Sequence, residues 1–92
     1  MRYRLTDHAR QEIARRYISE EDIAKVLAEP EQTLIIQPGR VVLQSTFKIG
    51  KPPKTYLLRV FIDIDSDPPA VVTAYRTSKV SKYWRPNHEG NI

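Results

Sequence analysis

Residues 70–84 read AVVTAYRTSKVSKYW, a stretch that begins with a strand pattern and ends with cationic and aromatic residues. Alternation over residues 70–77 predicts a strand with the odd-numbered side chains, from Val71 to Thr77, on one side. Hydroxyl and cationic residues follow closely, and no acidic residue occurs between Ala70 and Pro86. Such a strand end favours contact with a polyanion. A solvated, lysine-rich edge strand that resists aggregation accounts for the same residues equally well.

The segments just upstream also have the pattern of strands. Residues 33–37 are a short apolar run, residues 40–49 alternate, and residues 55–65 form the longest apolar segment, which we predict to be central. In that segment Tyr56, Leu58, Val60 and Ile62 form the face predicted to enter the core. Arg59 belongs to the opposite face, where an arginine needs an anion or a carboxylate partner. Asp63 lies on the same side of the strand and is the carboxylate with which Arg59 would form a structural pair.

Two helices are predicted before these strands. Thr6 is expected to cap the first and Ser19 the second, which Pro30 ends. The order of elements favours an α+β domain, with two N-terminal helices packed on an antiparallel, twisted sheet of four strands. The predicted limits are about 7–29 for the helices, about 33–77 for the sheet, 78–85 for a terminal turn or short C-terminal helix, and 86–92 for a frayed tail.

Composition limits the classes of function. The 92 residues have room for one domain, carry a net charge of +4 and contain no cysteine, which excludes disulfides and cysteine nucleophiles. The two histidines are far apart, and the acidic run 63–67 departs from a calcium loop at Pro68 and Ala74, so we expect no metal and no cofactor. No apolar run approaches the length of a membrane span and no signal-peptide core is present, which predicts a cytoplasmic protein without a membrane partner.

These residue types favour metal-independent cleavage of RNA, in which the 2′-hydroxyl of the strand attacks phosphorus. That reaction needs a base, an acid and cations beside the phosphate. The catalytic candidates are His8, Arg59, Thr73, Tyr75 and Lys79. The candidates for binding nucleic acid are Arg10, Arg15, Arg76, Ser78, Lys82, Tyr83 and Arg85. If these residues have only structural roles, His8 is a histidine on a helix surface, Arg59 pairs with Asp63, and Tyr75 and Tyr83 are half-buried tyrosines of the sheet.

Two motifs at the ends of the chain carry a family resemblance. The run LTDHAR at residues 5–10 with ISEEDI at 18–23, and the run VVTAYRTSK at 71–79 with KYW at 82–84, resemble the prokaryotic family called domain of unknown function (DUF) 4258. The resemblance implies a relation to RelE/ParE-like toxins, a curved, mainly antiparallel sheet after two helices, and RNA cleavage without metal. The family-like positions are His8, Arg10, Thr73, Tyr75, Thr77, Ser78, Lys79 and Tyr83, with Arg59 as a looser match. His88 is the one histidine near the C-terminus.

Three hypotheses of function follow. The first is a toxin-like ribonuclease of RelE/ParE type acting on free or ribosome-bound RNA, with an acidic antitoxin protein as its partner. The second is a non-catalytic RNA- or ribosome-binding module, and the third is a basic interaction domain for an acidic protein. All three assume that the first helix and the last strand converge on one positively charged cleft. No residue in the sequence requires an oligomer.

Overall fold

The computed structural model of this chain describes residues 2–85, and the predicted frayed tail at 86–92, including His88, lies outside the described residues. The elements, in chain order, are β1 (Arg4–Leu5), α1 (Asp7–Arg15), α2 (Glu20–Ala28), β2 (Gln32–Gln37), β3 (Arg40–Ile49), β4 (Lys54–Asp63), β5 (Ala70–Thr77) and α3 (Val80–Tyr83). The strands form one sheet in the order β1-β5-β4-β3-β2. No helix among these residues is long and apolar enough to cross a membrane.

The predicted architecture of two N-terminal helices on a four-stranded, mainly antiparallel sheet is wrong. The structure is an α+β fold with a five-stranded mixed sheet and three short helices in residues 2–85. The additional strand, β1, precedes both helices and pairs in parallel with β5, with Arg4 opposite Ala70. Backbone bonds from Arg4 N to Pro69 O (2.9 Å) and from Thr6 N to Val71 O (3.1 Å) join the two strands. A strand of two residues is too short to show a period, so alternation could not reveal it.

The helix starts follow the sequence. Thr6 Oγ1 accepts a bond from Ala9 N at 3.0 Å, and Ser19 Oγ accepts one from Asp22 N at 2.9 Å, so both predicted caps are confirmed. Between the helices Tyr17 has a φ of 56°, the left-handed conformation that commonly ends a helix. This turn brings Ile18 N to Ile13 O at 3.0 Å and directs Ile18 into the core.

One face of the sheet packs against α1 and α2. The buried cluster joins residues of both helices to residues of β3, β4 and β5: Ala9, Ile13, Ile18, Ile23, Val26, Val41, Leu43, Leu58, Val60, Ile62, Val71 and Ala74. The predicted core face of β4 is therefore confirmed at Leu58, Val60 and Ile62. Because side chains alternate along a strand, Arg59 lies on the other face of the sheet.

A β-bulge changes the facing of the last strand. Val71 pairs with Ile62 and Thr73 pairs with Phe61, so Val72 is an additional residue in β5. Val71 therefore faces the helices, whereas Thr73 and the residues two and four positions later face the same way as Phe61 and Arg59. The prediction that Val71 shares a side with Thr73 and Tyr75 is wrong, because unbroken alternation cannot account for an inserted residue.

Candidate functional site

Arg59 is a buried cation on the sheet face away from α1 and α2. It is 7% exposed, and it donates from Nε to Gln44 Oε1 at 2.8 Å and from Nη1 to the Tyr75 hydroxyl at 2.8 Å. Both acceptors are neutral. Within residues 2–85 no carboxylate comes within ion-pairing distance of Arg59, and the structural alternative of a pair with Asp63 is not formed. Burying a charge without an opposite charge lowers the free energy of unfolding, so Arg59 is a candidate for binding an anion.

Two buried glutamines connect Arg59 to the end of the described chain. Gln44 Nε2 donates to Gln32 Oε1 at 2.7 Å and to Tyr83 O at 3.2 Å. Gln32 in turn donates from Nε2 to Arg85 O at 2.8 Å and accepts from Arg85 N at 3.3 Å. Gln44 is 0% exposed and Gln32 is 2% exposed. These amides therefore hold α3 and the residues after it against the sheet.

Aromatic rings surround the same guanidinium. Its Cζ lies 4.4 Å from the centroid of the Tyr83 ring, 5.3 Å from that of Phe61 and 5.8 Å from that of Tyr75. Cation–π attraction strengthens when the cation is removed from water, as it is here. We call Gln32, Gln44, Arg59, Phe61, Tyr75 and Tyr83 the Arg59 cluster. It has the components of a surface that binds a phosphate and stacks on bases.

The Tyr83 phenol is the titrating group of the cluster. Its pKa is lowered from the ordinary value, first because a hydrogen bond from the Tyr75 side chain favours the phenolate, and then because Lys82 and Arg59 place positive charge nearby; burial opposes the shift. Tyr75 accepts from Arg59, so its own hydroxyl hydrogen remains available for donation. Because its pKa is lowered, a larger fraction of this phenol is phenolate at a given pH.

Of the other residues predicted in the C-terminal region, Lys82 and Arg85 contact the cluster. The backbone N–H of Lys79 bonds to Thr77 Oγ1 at 3.0 Å just before α3, and Lys82 Nζ lies 5.3 Å from the Tyr83 ring. Arg85 contributes its backbone to the Gln32 bonds. Ser78 is exposed, and Arg76 lies elsewhere, with its Cζ 5.8 Å from the Tyr56 ring.

The predicted residues of α1 are not brought into the cluster. His8, Arg10 and Arg15 are exposed on a helix that packs against the opposite face of the sheet. Arg10 pairs with Glu20 at 3.5 Å and Arg15 pairs with Glu12 at 2.7 Å. Thr73 pairs with Phe61 on β4, and its Oγ1 accepts from Nη1 of Arg16, the residue just after α1, at 3.5 Å.

The structure therefore unites three predicted residues, Arg59, Tyr75 and Tyr83, and adds three that sequence reasoning missed. Gln44 lies directly opposite Arg59 on the neighbouring strand, but an isolated glutamine in a sequence carries no signal of function. Gln32 and Phe61 were missed for the same reason. The useful signal was Arg59 itself, because a mid-strand arginine must have acceptors on the neighbouring strands.

Concave regions lie away from the cluster. A groove of about 650 Å³ lies on the helix side, lined mainly by apolar residues that include Leu27, Val41 and Ile64. A second, of about 390 Å³, lies between the end of α2 and β3 and is lined by Lys25 and Phe47 among others. Neither is lined by residues of the Arg59 cluster. Over residues 2–85 no three His, Asp or Glu side chains are grouped as metal ligands.

Comparison with known proteins gives one match. A family model described as "Domain of unknown function (DUF4258)" matches residues 5–76. The matched segment contains Gln32, Gln44, Arg59 and Tyr75 and ends before Tyr83. No curated protein and no solved structure matches the chain.

Proposed function

The chain belongs to the DUF4258 family, and from that premise we propose that it is a metal-independent endoribonuclease that binds RNA over the Arg59 cluster. The observation that carries the proposal is a buried guanidinium balanced by no carboxylate within residues 2–85. An anionic ligand supplies the missing charge, and arginine is well suited to phosphate because its planar donors match the oxygens.

The surroundings of Arg59 support an RNA ligand in particular. Lys82 is exposed beside Tyr83 and Lys79 is exposed just before α3, so both can contact further phosphates of the same strand. Tyr75 and Tyr83 are partly exposed, and bases of single-stranded RNA stack on such rings.

The proposed cleavage uses the two tyrosines for proton transfer. Tyr83, as the phenolate, takes the proton of the 2′-hydroxyl while the 2′-oxygen forms a bond to phosphorus. The bond from phosphorus to the 5′-oxygen breaks, and Tyr75 donates a proton to that oxygen, which leaves a 2′,3′-cyclic phosphate and a 5′-hydroxyl. Arg59 stabilises the charge on the phosphorane oxygens. His8 has no role in this scheme, because α1 packs on the other face.

We further propose that the chain is related to the RelE/ParE-like toxins and acts in the cytoplasm. We also propose that an acidic antitoxin is its protein partner. Support comes from the cationic C-terminal region, since a negatively charged partner is attracted to it and hides it from RNA. Co-purification with the product of a neighbouring acidic reading frame tests this part.

Cleavage is tested with labelled RNA in EDTA. The purified chain should produce 2′,3′-cyclic phosphate ends, and Arg59→Met should abolish them. Arg15→Met is the matched control, because Arg15 is an exposed arginine paired with Glu12, and it should leave cleavage unchanged. Intact RNA at micromolar protein contradicts the enzymatic proposal.

A second candidate, RNA binding without cleavage, is favoured by one observation. Arg59 is only 7% exposed and the Tyr83 ring lies over it, so the guanidinium is covered in this conformation. This candidate predicts salt-sensitive binding with no cyclic phosphate ends. Removing Lys82 should reduce the slope of log affinity against log salt by about one unit.

A further inference from the structure

We propose that Gln44 is a positioning residue that keeps Arg59 oriented and free of a carboxylate, so that the cluster is a binding site for a single phosphate group. The inference deepens the proposed function and rests on it for the identification of that phosphate as part of RNA. Its physical basis is the choice of an amide, where a carboxylate is the usual partner of a buried arginine.

The donors of Arg59 leave room for a ligand. A guanidinium has five N–H donors, and residues 2–85 accept from two of its nitrogens, Nε and Nη1. Nη2 has no hydrogen-bond partner within those residues. A carboxylate at Gln44 would bind in bidentate fashion and cancel the charge, whereas an amide oxygen orients the guanidinium and leaves its full charge for an anion.

The bonds of the glutamines determine which way each amide points. Arg59 only donates, so Gln44 must direct Oε1 towards it and Nε2 towards Gln32 Oε1 and Tyr83 O. Gln32 must then direct Oε1 towards Gln44 and Arg85 N, and Nε2 towards Arg85 O. One orientation satisfies all of these bonds. Arg59 is thus held at its Nε edge by an acceptor that cannot rotate without losing several bonds.

The covering of Arg59 is compatible with a ligand. Rings close to the guanidinium exclude water, and exclusion of water strengthens its attraction to a phosphate. The covering residue Tyr83 belongs to α3, which has four residues and none of them buried. A rotation of the Tyr83 ring therefore opens the guanidinium, and it leaves the bond from Gln44 Nε2 to Tyr83 O in place.

The test measures inorganic phosphate binding to the full chain. Phosphate should raise the melting temperature of the wild type above that in chloride at equal ionic strength. Gln44→Glu should lose that increase and bind phosphate at least about tenfold more weakly by calorimetry, because the new carboxylate pairs with Arg59. The substitution also removes the bonds that Gln44 Nε2 donates to Gln32 and Tyr83, so phosphate affinity is compared at a temperature at which both proteins are folded. A residue with a structural role alone would leave the phosphate affinity of the folded protein unchanged.

Several results overturn the inference. One is the absence of a phosphate-specific increase in the melting temperature of the wild type, and another is unchanged phosphate affinity in Gln44→Glu. A third is an increase in melting temperature with phosphate that persists in Arg59→Met, and this measurement tests the inference if Gln44→Glu does not fold. Labelled RNA distinguishes the two proposals. Phosphate binding without RNA binding contradicts the proposed function alone, and equal RNA cleavage by wild type and Gln44→Glu contradicts the inference alone.

Discussion

Two groups of arginines on opposite faces of one sheet differ in what neutralises them. On α1 and just after it, Arg15 and Arg16 both reach Glu12, at 2.7 and 2.8 Å. On the other face, Arg59 is held by an amide and a phenol. All three contribute equally to the net charge of +4. The charge of the partner, and not the number of cations, therefore indicates which arginine is available to an anion.

Arg16 shows what an arginine of the first group does. Its Nη1 donates to Ala74 O at 2.6 Å, on the edge of β5 that the short β1 does not cover. Arg16 thus satisfies a backbone carbonyl and joins α1 to the sheet, in addition to pairing with Glu12. Its role is structural.

The largest expected effect is on the Arg59 side. Tyr83→Phe should slow RNA cleavage by about 10²–10⁴-fold, because it removes the proton acceptor. The lowered pKa of Tyr83 means that the phenolate fraction, and with it the wild-type rate, should rise with pH already below the ordinary tyrosine value of 10.0. Rates of cyclic phosphate formation across pH measure this. The rise should persist in Tyr17→Phe, a control at an exposed position outside the cluster, and its persistence in Tyr83→Phe contradicts the assignment.

An intermediate effect is expected from Arg16→Met, which keeps the apolar stem and removes the guanidinium. Loss of the bonds to Ala74 O and Glu12 should lower the free energy of unfolding by about 1–2 kcal/mol, at the low end for charged hydrogen bonds because the site is partly exposed. Urea unfolding measures this change. RNA affinity should stay close to that of the wild type, and a loss comparable to that of Arg59→Met would erase the distinction between the two groups.

The smallest effect is expected from Glu12→Gln. The pKa of Glu12 is lowered, first by its hydrogen bond to Arg15 and then by the charges of Arg15, Arg16 and His8, against burial. A lowered carboxyl pKa stabilises the fold above the unfolded value of about 4.5, and this contribution is lost as pH falls through the folded value. Urea unfolding of Glu12→Gln should therefore show a shallower loss of stability in acid. An acid dependence identical to that of the wild type contradicts this.

Local features of the fold were predictable because they depend on neighbours in sequence. Thr6 and Ser19 cap their helices through bonds to residues three positions later, and the alternation of β4 placed Leu58 in the core and Arg59 opposite it. Features that depend on distant partners were not predictable. The strand β1 exists because it meets β5, and the bulge at Val72 depends on the register against β4.

The candidate site divides in the same way. Arg59, Tyr75 and Tyr83 were identifiable by residue type and position, since a mid-strand arginine and tyrosines near cations are uncommon combinations. Gln32 and Gln44 are ordinary residues in sequence, and their importance follows from complete burial and from bonds to residues 39 to 53 positions away in Tyr83 and Arg85. Only the folded chain brings these groups together.

By itself, the sequence determined the helix starts, the inward face of the central strand and the presence of a cation that needs an anionic partner, because these depend on capping, on the two-residue period and on the cost of a buried charge. The tertiary structure decided that the first helix faces away from that cation, that the sheet has a fifth, parallel strand, and that an amide and a phenol bind Arg59. These outcomes depend on pairing between segments far apart in the chain, and no local pattern specifies such pairing.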